Sequence, residues 1–334
     1  MKYGETFREY LLKEQEGFIN NCSHVDYKRL KKVLKTCRSC KPLEDFCDDE
    51  KEAADDTASQ QLCQCQSCPL CDQTFFSELM KEASEIVGCF SSRVRDLLHL
   101  HIATGMQRYL LQLRKCFKND QQSMVEEGKM LIEYATMNAI AIRKILKKYD
   151  KVHSSDNGKN FKSKMQSEHI ELLQSPWLIE LGAFYLNLDA SDGGHLSELS
   201  GHFSCDLSAT PPVMTMLLPD SKKLDYDLTC AICLEIVFNP YALGCGHLFC
   251  KSCACSAASV MIFQGLKAAS RESKCPICRE AGVYAKAVKM SELDLLLKRR
   301  CKEYWKGRMN AERVEVLKQT KEFWDLQAKY MIGY

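Results

Sequence analysis

The sequence predicts a mostly α-helical protein, in which an N-terminal helical bundle is followed by a small cysteine-rich domain and a C-terminal helix. Two observations predict this fold class. Apolar residues recur at helical spacing through the first 180 residues, where strand-like alternation is scarce. Cysteine and histidine residues are then concentrated between positions 230 and 278. A chain of 334 residues is long enough for two domains or slightly more.

The overall composition is that of a soluble globular protein. Hydrophobic residues make up 46% of the chain and charged residues 27%, and the net charge is +2, so no global field draws the protein to a polyanion. No apolar stretch is long enough to predict a transmembrane helix, and the first residues lack the apolar core of a secretory signal. We therefore expect a cytoplasmic protein, with the nucleus as a second location. Its 20 cysteines should be reduced or bound to metal.

The first two predicted helices are short and amphipathic. One covers residues 3–20, and the other runs from about Asp26 to Cys37. Lysines on the second helix recur at positions i, i+3, i+4 and i+7, so they project from a common face. These lysines are Lys28, Lys31, Lys32 and Lys35.

Residues 37–73 interrupt the helical pattern and are interpreted as a cysteine-rich insert. Two C-x2-C pairs within it, Cys37/Cys40 and Cys68/Cys71, could hold a further zinc ion. The alternative is a loop with reduced thiols. Spacing does not decide between the two, because seven cysteines in the insert offer several ligand sets.

Longer helices are predicted over residues 75–117, 123–149 and 159–173, and Ser175-Pro176 ends the last of them. At a rise of 1.5 Å per residue, the first would be roughly 60 Å long and would need partner helices to cover its apolar side. Short helices followed by long antiparallel ones are typical of a bundle. The N-terminal domain is therefore assigned to residues 1–180.

A second group of lysines lies near the end of the helix predicted over residues 123–149. Lys144, Lys147 and Lys148 are spaced i, i+3, i+4 and share a face, where their charges repel one another by a few tenths of a kcal/mol per pair. If this face meets the lysine face of residues 26–37, the joint surface attracts a compact polyanion. The alternative is an ordinary solvated helix face.

Residues 181–226 are interpreted as a linker, because Gly, Pro and Ser are frequent and hydrophobic periodicity is weak. The following domain, residues 227–282, contains three C-x2-C pairs and a C-x-H-x2-C motif. Structural zinc takes four Cys or His ligands, so eight of them suffice for two zinc sites. Cys255 lies just beyond a complete set and is interpreted as a spare thiol. The eight ligands are Cys230, Cys233, Cys245, His247, Cys250, Cys253, Cys275 and Cys278.

Spacing alone does not pair these ligands, and two zinc ribbons in series or buried reduced cysteines remain open. The pattern resembles a RING finger of the C3HC4 type. That resemblance implies interleaved, cross-braced sites, and metal binding would then supply much of the folding free energy of the domain. The implied sets are Cys230, Cys233, Cys250 and Cys253 for one zinc ion, and Cys245, His247, Cys275 and Cys278 for the other.

Residues 283–334 are predicted to form a basic, helical C-terminal tail, with a helix opening at Ser291-Glu292. Aromatic residues of this tail are expected to pack within the molecule, with a second chain as the alternative. They are Trp305, Phe323 and Trp324.

Residues 1–180 resemble an SPX domain in three motifs: MKYGETFREYL, VDYKRLKKVLK and AIRKILKKYDK. The resemblance implies a receptor for inositol pyrophosphates, which report cellular phosphate status, with the Tyr27 hydroxyl donating a hydrogen bond to a phosphate oxygen. Glu5 departs from the pattern, since family members often have a base there, and should weaken the pocket. The implied anion-binding residues are Lys2, Tyr27, Lys31, Lys144, Lys147 and Lys148.

The order SPX then RING resembles the plant ubiquitin ligases of the nitrogen limitation adaptation (benzoic acid hypersensitive) type, over nearly the full chain. The resemblance implies that the RING binds an E2 ubiquitin-conjugating enzyme and orients the ubiquitin it carries, while the reactive cysteine belongs to the E2. The implied contacts are Ile232, Pro276 and Arg279. Ala257 stands where many RING domains have a tryptophan, which leaves the choice of E2 open.

The same resemblance implies a role in phosphate and nitrate homeostasis, with phosphate transporters as substrates and a peripheral location at the plasma membrane. Two other functions compete with this one. The first is a zinc-containing phosphate-sensing adaptor without enzymatic activity, against which Ile232, Pro276 and Arg279 argue together. The second is a nucleic-acid-binding regulator, which the near-neutral net charge and the lack of a base-reading helix disfavour.

Overall fold

The computed structural model describes most of the chain, and within the described part it is mainly helical, as predicted. The residues divide into two compact units. The first unit combines Met1–Cys89 with Met137–Gln166, and the second combines Phe90–Thr136 with Ser167–Tyr334. The described residues are 3–14, 22–37, 69–98, 118–167, 170–189, 202–218 and 222–332.

Six α-helices precede the first β-strand in the described residues. The helix predicted over 75–117 is seen to Leu97, and residues 99–117 lie outside the described part. The prediction that Pro176 ends a helix is wrong, because Pro176 begins the next one, where its missing N–H costs nothing. The helices are α1 (Tyr3–Glu14), α2 (Tyr27–Cys37), α3 (Pro69–Leu97), α4 (Lys118–His153), α5 (Asn157–Ser167) and α6 (Pro176–Asp189).

Apolar side chains of α2, α3 and α4 form the core of the first unit. Leu30 of α2 and Leu79 of α3 are fully buried. Phe75 of α3 stacks on Tyr149 of α4, with ring centroids 4.8 Å apart. Burial of this kind stabilises a helix by about 1.5–3 kcal/mol for each large side chain.

Polar contacts fix the beginning of α2. Asp26 caps the helix, with its Oδ1 accepting a hydrogen bond from Arg29 N at 2.8 Å. Arg29 Nη2 in turn donates to Glu82 Oε1 of α3 at 2.6 Å. The backbone N–H of Val25 donates to Oδ1 of the buried Asn138 of α4 at 3.0 Å. These contacts hold α2 against α3 and α4 at a defined register.

Cys22 and Cys89 are joined by a disulfide, which differs from the expectation that the cysteines are reduced or bind metal. Their Cα atoms lie 5.9 Å apart, within the range that a disulfide spans. Sequence spacing could not reveal this pair, because Cys22 precedes α2 and Cys89 lies near the end of α3, 67 residues away.

A three-stranded antiparallel sheet occupies part of the predicted linker. Its order is β1 (Phe203–Asp206), β2 (Val213–Leu217) and β3 (Lys223–Asp227). Met214 and Met216 point to the buried side of the middle strand. The interpretation of residues 181–226 as a linker is wrong for these strands and for the end of α6, because strands this short carry little periodicity.

Helix α6 is buried over most of its length in the second unit, and its buried residues are apolar apart from Glu180 and Asn187. The Tyr185 hydroxyl donates to the Val125 carbonyl of α4 at 2.6 Å. The Arg95 guanidinium lies over the Trp177 ring at 4.6 Å. Phe203 of β1 stacks on Tyr185, with ring centroids 6.4 Å apart.

The zinc domain (residues 227–282) and the tail complete the second unit. The remaining elements are β4 (Pro240–Ala242), β5 (Leu248–Cys250), α7 (Lys251–Ala257), β6 (Val288–Lys289), α8 (Ser291–Arg300) and α9 (Lys302–Ile332). The three strands form a second sheet in the order β5-β4-β6.

A buried carboxylate connects α6 to α8. Glu180 of α6 is fully buried, and its two oxygens accept hydrogen bonds from Glu292 N at 2.8 Å and Leu293 N at 3.1 Å. These N–H groups have no partner within their own helix, and a negative charge there is favoured by the helix dipole. Asn187 adds a hydrogen bond from Nδ2 to the Glu292 carbonyl at 2.8 Å. The helix that follows the zinc domain is therefore held firmly by α6.

Candidate metal centre and its surroundings

The eight predicted ligands gather into two groups of four. In each group the ligand atoms all lie within 4.8 Å of one another. Ligands of the two groups alternate in pairs along the chain, so the sites are interleaved and not in series. The first group is Cys230, Cys233, Cys250 and Cys253, and the second is Cys245, His247, Cys275 and Cys278.

Distances within the groups fit a tetrahedron of ligands around zinc. The Sγ atoms of Cys233 and Cys250 are 3.8 Å apart. His247 Nδ1 lies 3.4 Å from Cys245 Sγ and 3.6 Å from Cys275 Sγ. Thiolates at ~2.3 Å from zinc would be about 3.8 Å apart, and a thiolate and an imidazole nitrogen about 3.5 Å apart. The residues therefore fit two zinc ions, and four protein ligands at each leave no open position for a substrate.

Two C-x2-C pairs, Cys230/Cys233 and Cys275/Cys278, lie on turns of the same geometry. Leu234 N donates to Cys230 O at 2.8 Å, and Arg279 N donates to Cys275 O at 2.9 Å. Leu234 and Arg279 have φ angles of 60° and 62°, in the left-handed region that non-glycine residues seldom adopt. Each turn points its two thiolates inward and leaves the residues between them on the surface.

The Cys245-Gly246-His247 segment is a tight turn that depends on glycine. Gly246 has a φ of 86°, and its N–H donates to the Leu243 carbonyl at 2.9 Å. Leu243 N in turn donates to His247 O at 3.0 Å, which closes the turn. This conformation lets two ligands that are two residues apart approach the same metal ion.

Cys255 belongs to neither group and is fully buried within α7, which agrees with its interpretation as a spare thiol. The proposed third zinc site cannot be placed, because Cys40 and Cys68 lie outside the described residues.

Arg308 contacts the first group of ligands, and the sequence did not reveal this contact. Its Nη2 atom lies 3.8 Å from both Cys233 Sγ and Cys250 Sγ of the first group, and Nη1 forms an ion pair with Glu235. Four thiolates around one Zn²⁺ carry a net negative charge, which a guanidinium at this distance offsets. No spacing signal could identify Arg308, since it lies on α9, 58 and 75 residues after the two ligands it contacts.

The predicted E2-contact residues lie on the surface beside the zinc sites. Ile232 is 41% exposed although it is apolar, and Pro276 and Arg279 are also exposed. Two further apolar residues, Leu234 and Ile277, are 77% and 48% exposed. Exposed apolar groups on a rigid turn are typical of a protein-contact surface.

Ala257, which stands where many RING domains have a tryptophan, is exposed at the end of α7. Phe263 is 40% exposed a few residues later. Its ring packs edge-on against Phe323 of α9 at 5.6 Å, so the tail holds it in place. The prediction that the tail aromatics pack within the molecule holds for Phe323. Trp305 also packs within its unit, with Nε1 donating to Asp294 at 3.0 Å, whereas Trp324 is 63% exposed.

Tyr27 and Lys31 line a cleft of about 700 Å³ between α1 and α2. Lys28 and Arg8 add positive charge to it, and Glu5 lies in the same cleft. Burial raises the pKa of Tyr27, so its hydroxyl stays protonated and can donate a hydrogen bond. Asp26 adds a second carboxylate to the lining of the cleft.

The other predicted anion-binding residues lie on α4 or outside the described part. Lys144 and Lys147 are exposed, Lys148 is half-buried, and all three belong to the first unit together with the cleft. Lys2 lies outside the described residues. Among neighbouring bases, Arg29 is engaged by Glu82 at 2.6 Å.

A family model described as a RING-type zinc-finger matches residues 230–276. The two interleaved zinc sites agree with it, so the chain contains a RING-type zinc finger.

Relatives extend this assignment over the whole chain. A protein named "Probable E3 ubiquitin-protein ligase BAH1-like" from Arabidopsis thaliana is 62% identical, with 100% of both chains covered. "Probable E3 ubiquitin-protein ligase BAH1-like 1" from Oryza sativa subsp. indica is 58% identical, and "E3 ubiquitin-protein ligase NLA" from A. thaliana is 44% identical, again over 100% of both chains. The chain belongs to this family of plant RING-type E3 ubiquitin-protein ligases. No solved structure matches it.

In the part of the chain that the structure describes, no helix is both long and apolar enough to cross a bilayer.

Proposed function

We propose that this E3 ligase orients ubiquitin on a bound E2 enzyme through Ile232, Pro276 and Arg279, and that an inositol polyphosphate on its N-terminal helices tunes substrate recruitment. The observation that carries the first part is the exposure of Ile232 on a rigid zinc-bound turn. The zinc ligands fix the turn, and Ile232 on it is exposed to solvent. Ile232 can therefore contact a partner protein without a free-energy cost for rearranging the fold.

Ubiquitin transfer needs no nucleophile from the ligase. Both zinc sites are complete with protein ligands, and the reacting thioester belongs to the E2. The contribution of the ligase is to fix the reactive geometry, which lowers the entropic part of the barrier. Arg279 suits this task, because a guanidinium is a rigid planar fork that can donate hydrogen bonds to E2 and ubiquitin at once.

An in vitro ubiquitination assay with a panel of E2 enzymes tests this part. Ile232→Ala should lower the rate about tenfold or more, as truncation of a central contact residue does, while two zinc ions per chain are retained. Leu217→Ala is the matched control, since Leu217 has a similar exposure of 38% and lies on β2 in the same unit. Equal rates for the two variants, or no transfer with any E2, would contradict the proposal.

Anion binding is supported by the cleft at Tyr27 and Lys31 and by the lysines of α4. Inositol polyphosphates are compact and densely charged, and lysine ammonium groups bind phosphate as point charges. The pattern of Tyr27, Lys31, Lys144, Lys147 and Lys148 agrees with the resemblance of residues 1–180 to SPX domains.

Calorimetry of the full chain with inositol hexakisphosphate tests the anion site. Lys144→Ala and Lys148→Ala should each weaken binding several-fold, and the loss should shrink at high salt. Lys129→Ala is the control, because Lys129 is an exposed lysine of the same helix, 15 residues before Lys144 in the sequence. Glu5→Lys should tighten binding. Equal affinities for the Lys144 and Lys129 variants would remove the proposed site.

The proposed substrates are phosphate transporters, which the ligase would reach at the plasma membrane as a peripheral protein in phosphate and nitrate homeostasis. This part rests on the family resemblance alone. Co-expression of a phosphate transporter with the wild-type chain should increase transporter ubiquitination, and co-expression with Ile232→Ala should not. An equal increase with both chains would exclude the transporter as a direct substrate.

A further inference from the structure

Helix α9 has one face that packs on the zinc domain. Gln319 Oε1 accepts a hydrogen bond from Ile262 N at 2.9 Å, and Phe323 packs against Phe263. About two turns before Gln319, Glu312 Oε1 accepts a hydrogen bond from Asn239 Nδ2 at 3.0 Å. This face fixes the position of the helix and needs no further partner.

The opposite face of α9 carries exposed apolar residues at a regular spacing. We call it the outer seam. Val314 is 67% exposed, Leu317 71%, Trp324 63% and Met331 84%. The intervals along the seam alternate between three and four residues, which is the heptad spacing that keeps side chains in one stripe between paired helices. The outer seam consists of Val314, Leu317, Lys321, Trp324, Ala328 and Met331.

We propose that the outer seam binds the outer seam of a second copy of this chain, with the two helices antiparallel. A surface that pairs with itself under a two-fold axis must be self-complementary. In the antiparallel arrangement Leu317 lies opposite Ala328 of the second copy, and Val314 lies opposite Met331. A large side chain then meets a smaller or more flexible one in these layers.

The charges of the seam select the antiparallel arrangement. Lys321 lies opposite Trp324 of the second copy, where its stem can cover the ring and its ammonium group can interact with the π face. Lys318, which flanks the seam, comes beside Asp325 of the second copy, and the symmetry makes this pair twice. Both residues are exposed in the single chain.

A parallel pair would be unfavourable for the same residues. It would place Lys321 directly opposite Lys321 of the second copy, inside the seam. It would also bring Arg313 beside Lys318 on both flanks, where like charges repel. The paired length from Val314 to Met331 is about 27 Å. Because this is only two and a half heptads, the dimer should be weak and depend on protein concentration.

Sedimentation equilibrium of the zinc-loaded full chain tests the proposal over roughly 1 to 100 μM, where a weak dimer would be partly dissociated. Wild type should show a monomer–dimer equilibrium. The double variant Leu317→Glu, Trp324→Glu should be monomeric throughout, with its zinc content and helical signal unchanged. Wild-type protein that stays monomeric over the whole range would overturn the proposal.

Leu326→Glu is the matched control. Leu326 is an exposed leucine on the same helix, 52% exposed, but it lies on the side opposite Leu317. Its substitution places a glutamate on the same helix without touching the seam, so the dimer should persist. Loss of the dimer equal to that of the seam variant would show that α9 does not pair through the outer seam.

Substitutions of the flanking charged residues test whether the two helices are antiparallel or parallel. Lys318→Asp should weaken an antiparallel dimer several-fold by placing two acids together, and Lys318→Asp combined with Asp325→Lys should restore it. A parallel pair predicts the reverse for Lys318→Asp, because the new acid would face Arg313. Tighter association of Lys318→Asp would therefore overturn the antiparallel arrangement.

Discussion

The zinc domain and the first helical unit are stabilised by different interactions. In the zinc domain, eight ligands and short backbone hydrogen bonds determine the chain path, and only short strands and one short helix surround them. In the first unit, long helices bury continuous apolar surface, with Leu79, Ala83 and Ile86 fully buried on α3. The zinc domain depends on bound ions, and the first unit depends on packing.

This difference has a consequence for where function resides. Residues on the zinc turns, such as Ile232 and Arg279, are held at positions set by neighbours two or three residues away. Residues of the cleft between α1 and α2, such as Tyr27 and Lys31, are held by the packing of one helix on another. Perturbation of the metal should therefore affect the turns first, and perturbation of the core should affect the cleft first.

Among these perturbations, removal of zinc should cause the largest loss of folded structure. A strong chelator should unfold the zinc domain, because binding free energies of structural zinc are on the order of 10 kcal/mol and act as folding free energy. Helices α2 and α3 and the second half of α4 should keep slow amide exchange, since the first unit contains neither ligand group. Hydrogen-exchange mass spectrometry measures both regions in one experiment.

Two cysteines of α7 supply the control for this experiment. Cys253→Ala should lower the zinc content from two ions to one, whereas Cys255→Ala, two residues away and outside both groups, should keep both ions. Protection of the zinc domain that survives chelation would contradict the view that metal replaces a core there.

A core substitution in the first unit should give the next largest effect. Leu79 is fully buried on α3, so Leu79→Ala should lower the free energy of unfolding by about 2–5 kcal/mol. Zinc content should not change. Leu12→Ala, at a leucine that is 55% exposed on α1, should change stability by less than about 0.5 kcal/mol. Denaturant unfolding followed by circular dichroism measures both, and equal losses would show that the core is assigned wrongly.

Arg308 of the C-terminal tail contacts the first zinc site, and its substitution should have a more moderate effect, on zinc affinity. Arg308→Ala should weaken zinc binding at Cys230, Cys233, Cys250 and Cys253 about 10- to 100-fold, which is the range for residues that support metal ligands. Competition with a chromophoric chelator measures the affinity. Arg313→Ala on the exposed side of α9 should leave it unchanged, and a similar loss there would indicate a general effect of charge.

The smallest expected effect concerns the pH dependence of the stability of the first unit. Burial lowers the pKa of His24 below its ordinary value of about 6.5. Asn138 Oδ1 accepts from Val25 N, so its Nδ2 faces His24 Nδ1 at 3.3 Å and favours the neutral imidazole. The unfolded chain therefore binds a proton at higher pH than the folded chain does. The contribution of neutral His24 to the stability of the first unit should be fully present above pH ~6.5 and should decline as the pH falls below that value.

His24→Gln should reduce this decline, because an amide oxygen can accept from Asn138 at any pH. Amide exchange in α2 and α4, followed between pH 7 and pH 5.5 or so, measures the difference from wild type. An unchanged slope in the variant would mean that another group is responsible.

By itself, the sequence determined the zinc sites down to each ligand, since C-x2-C and C-x-H spacings place donor atoms within reach of one metal ion whatever the rest of the chain does. It also predicted the helices of the first unit, because a period of 3.6 residues is a local property. The pairing of the eight ligands followed from resemblance, and the structure confirms it.

Only the tertiary structure decided which distant residues meet. Arg308 contacts thiolates of residues 58 and 75 positions away, Cys22 bonds to Cys89, and Glu180 holds the beginning of α8. The sheet at β1–β3 escaped prediction because its strands are four or five residues long and are stabilised by pairing with one another and by burial of Met214 and Met216. Contacts of this kind depend on where each element lies in the folded chain, and no local spacing records that position.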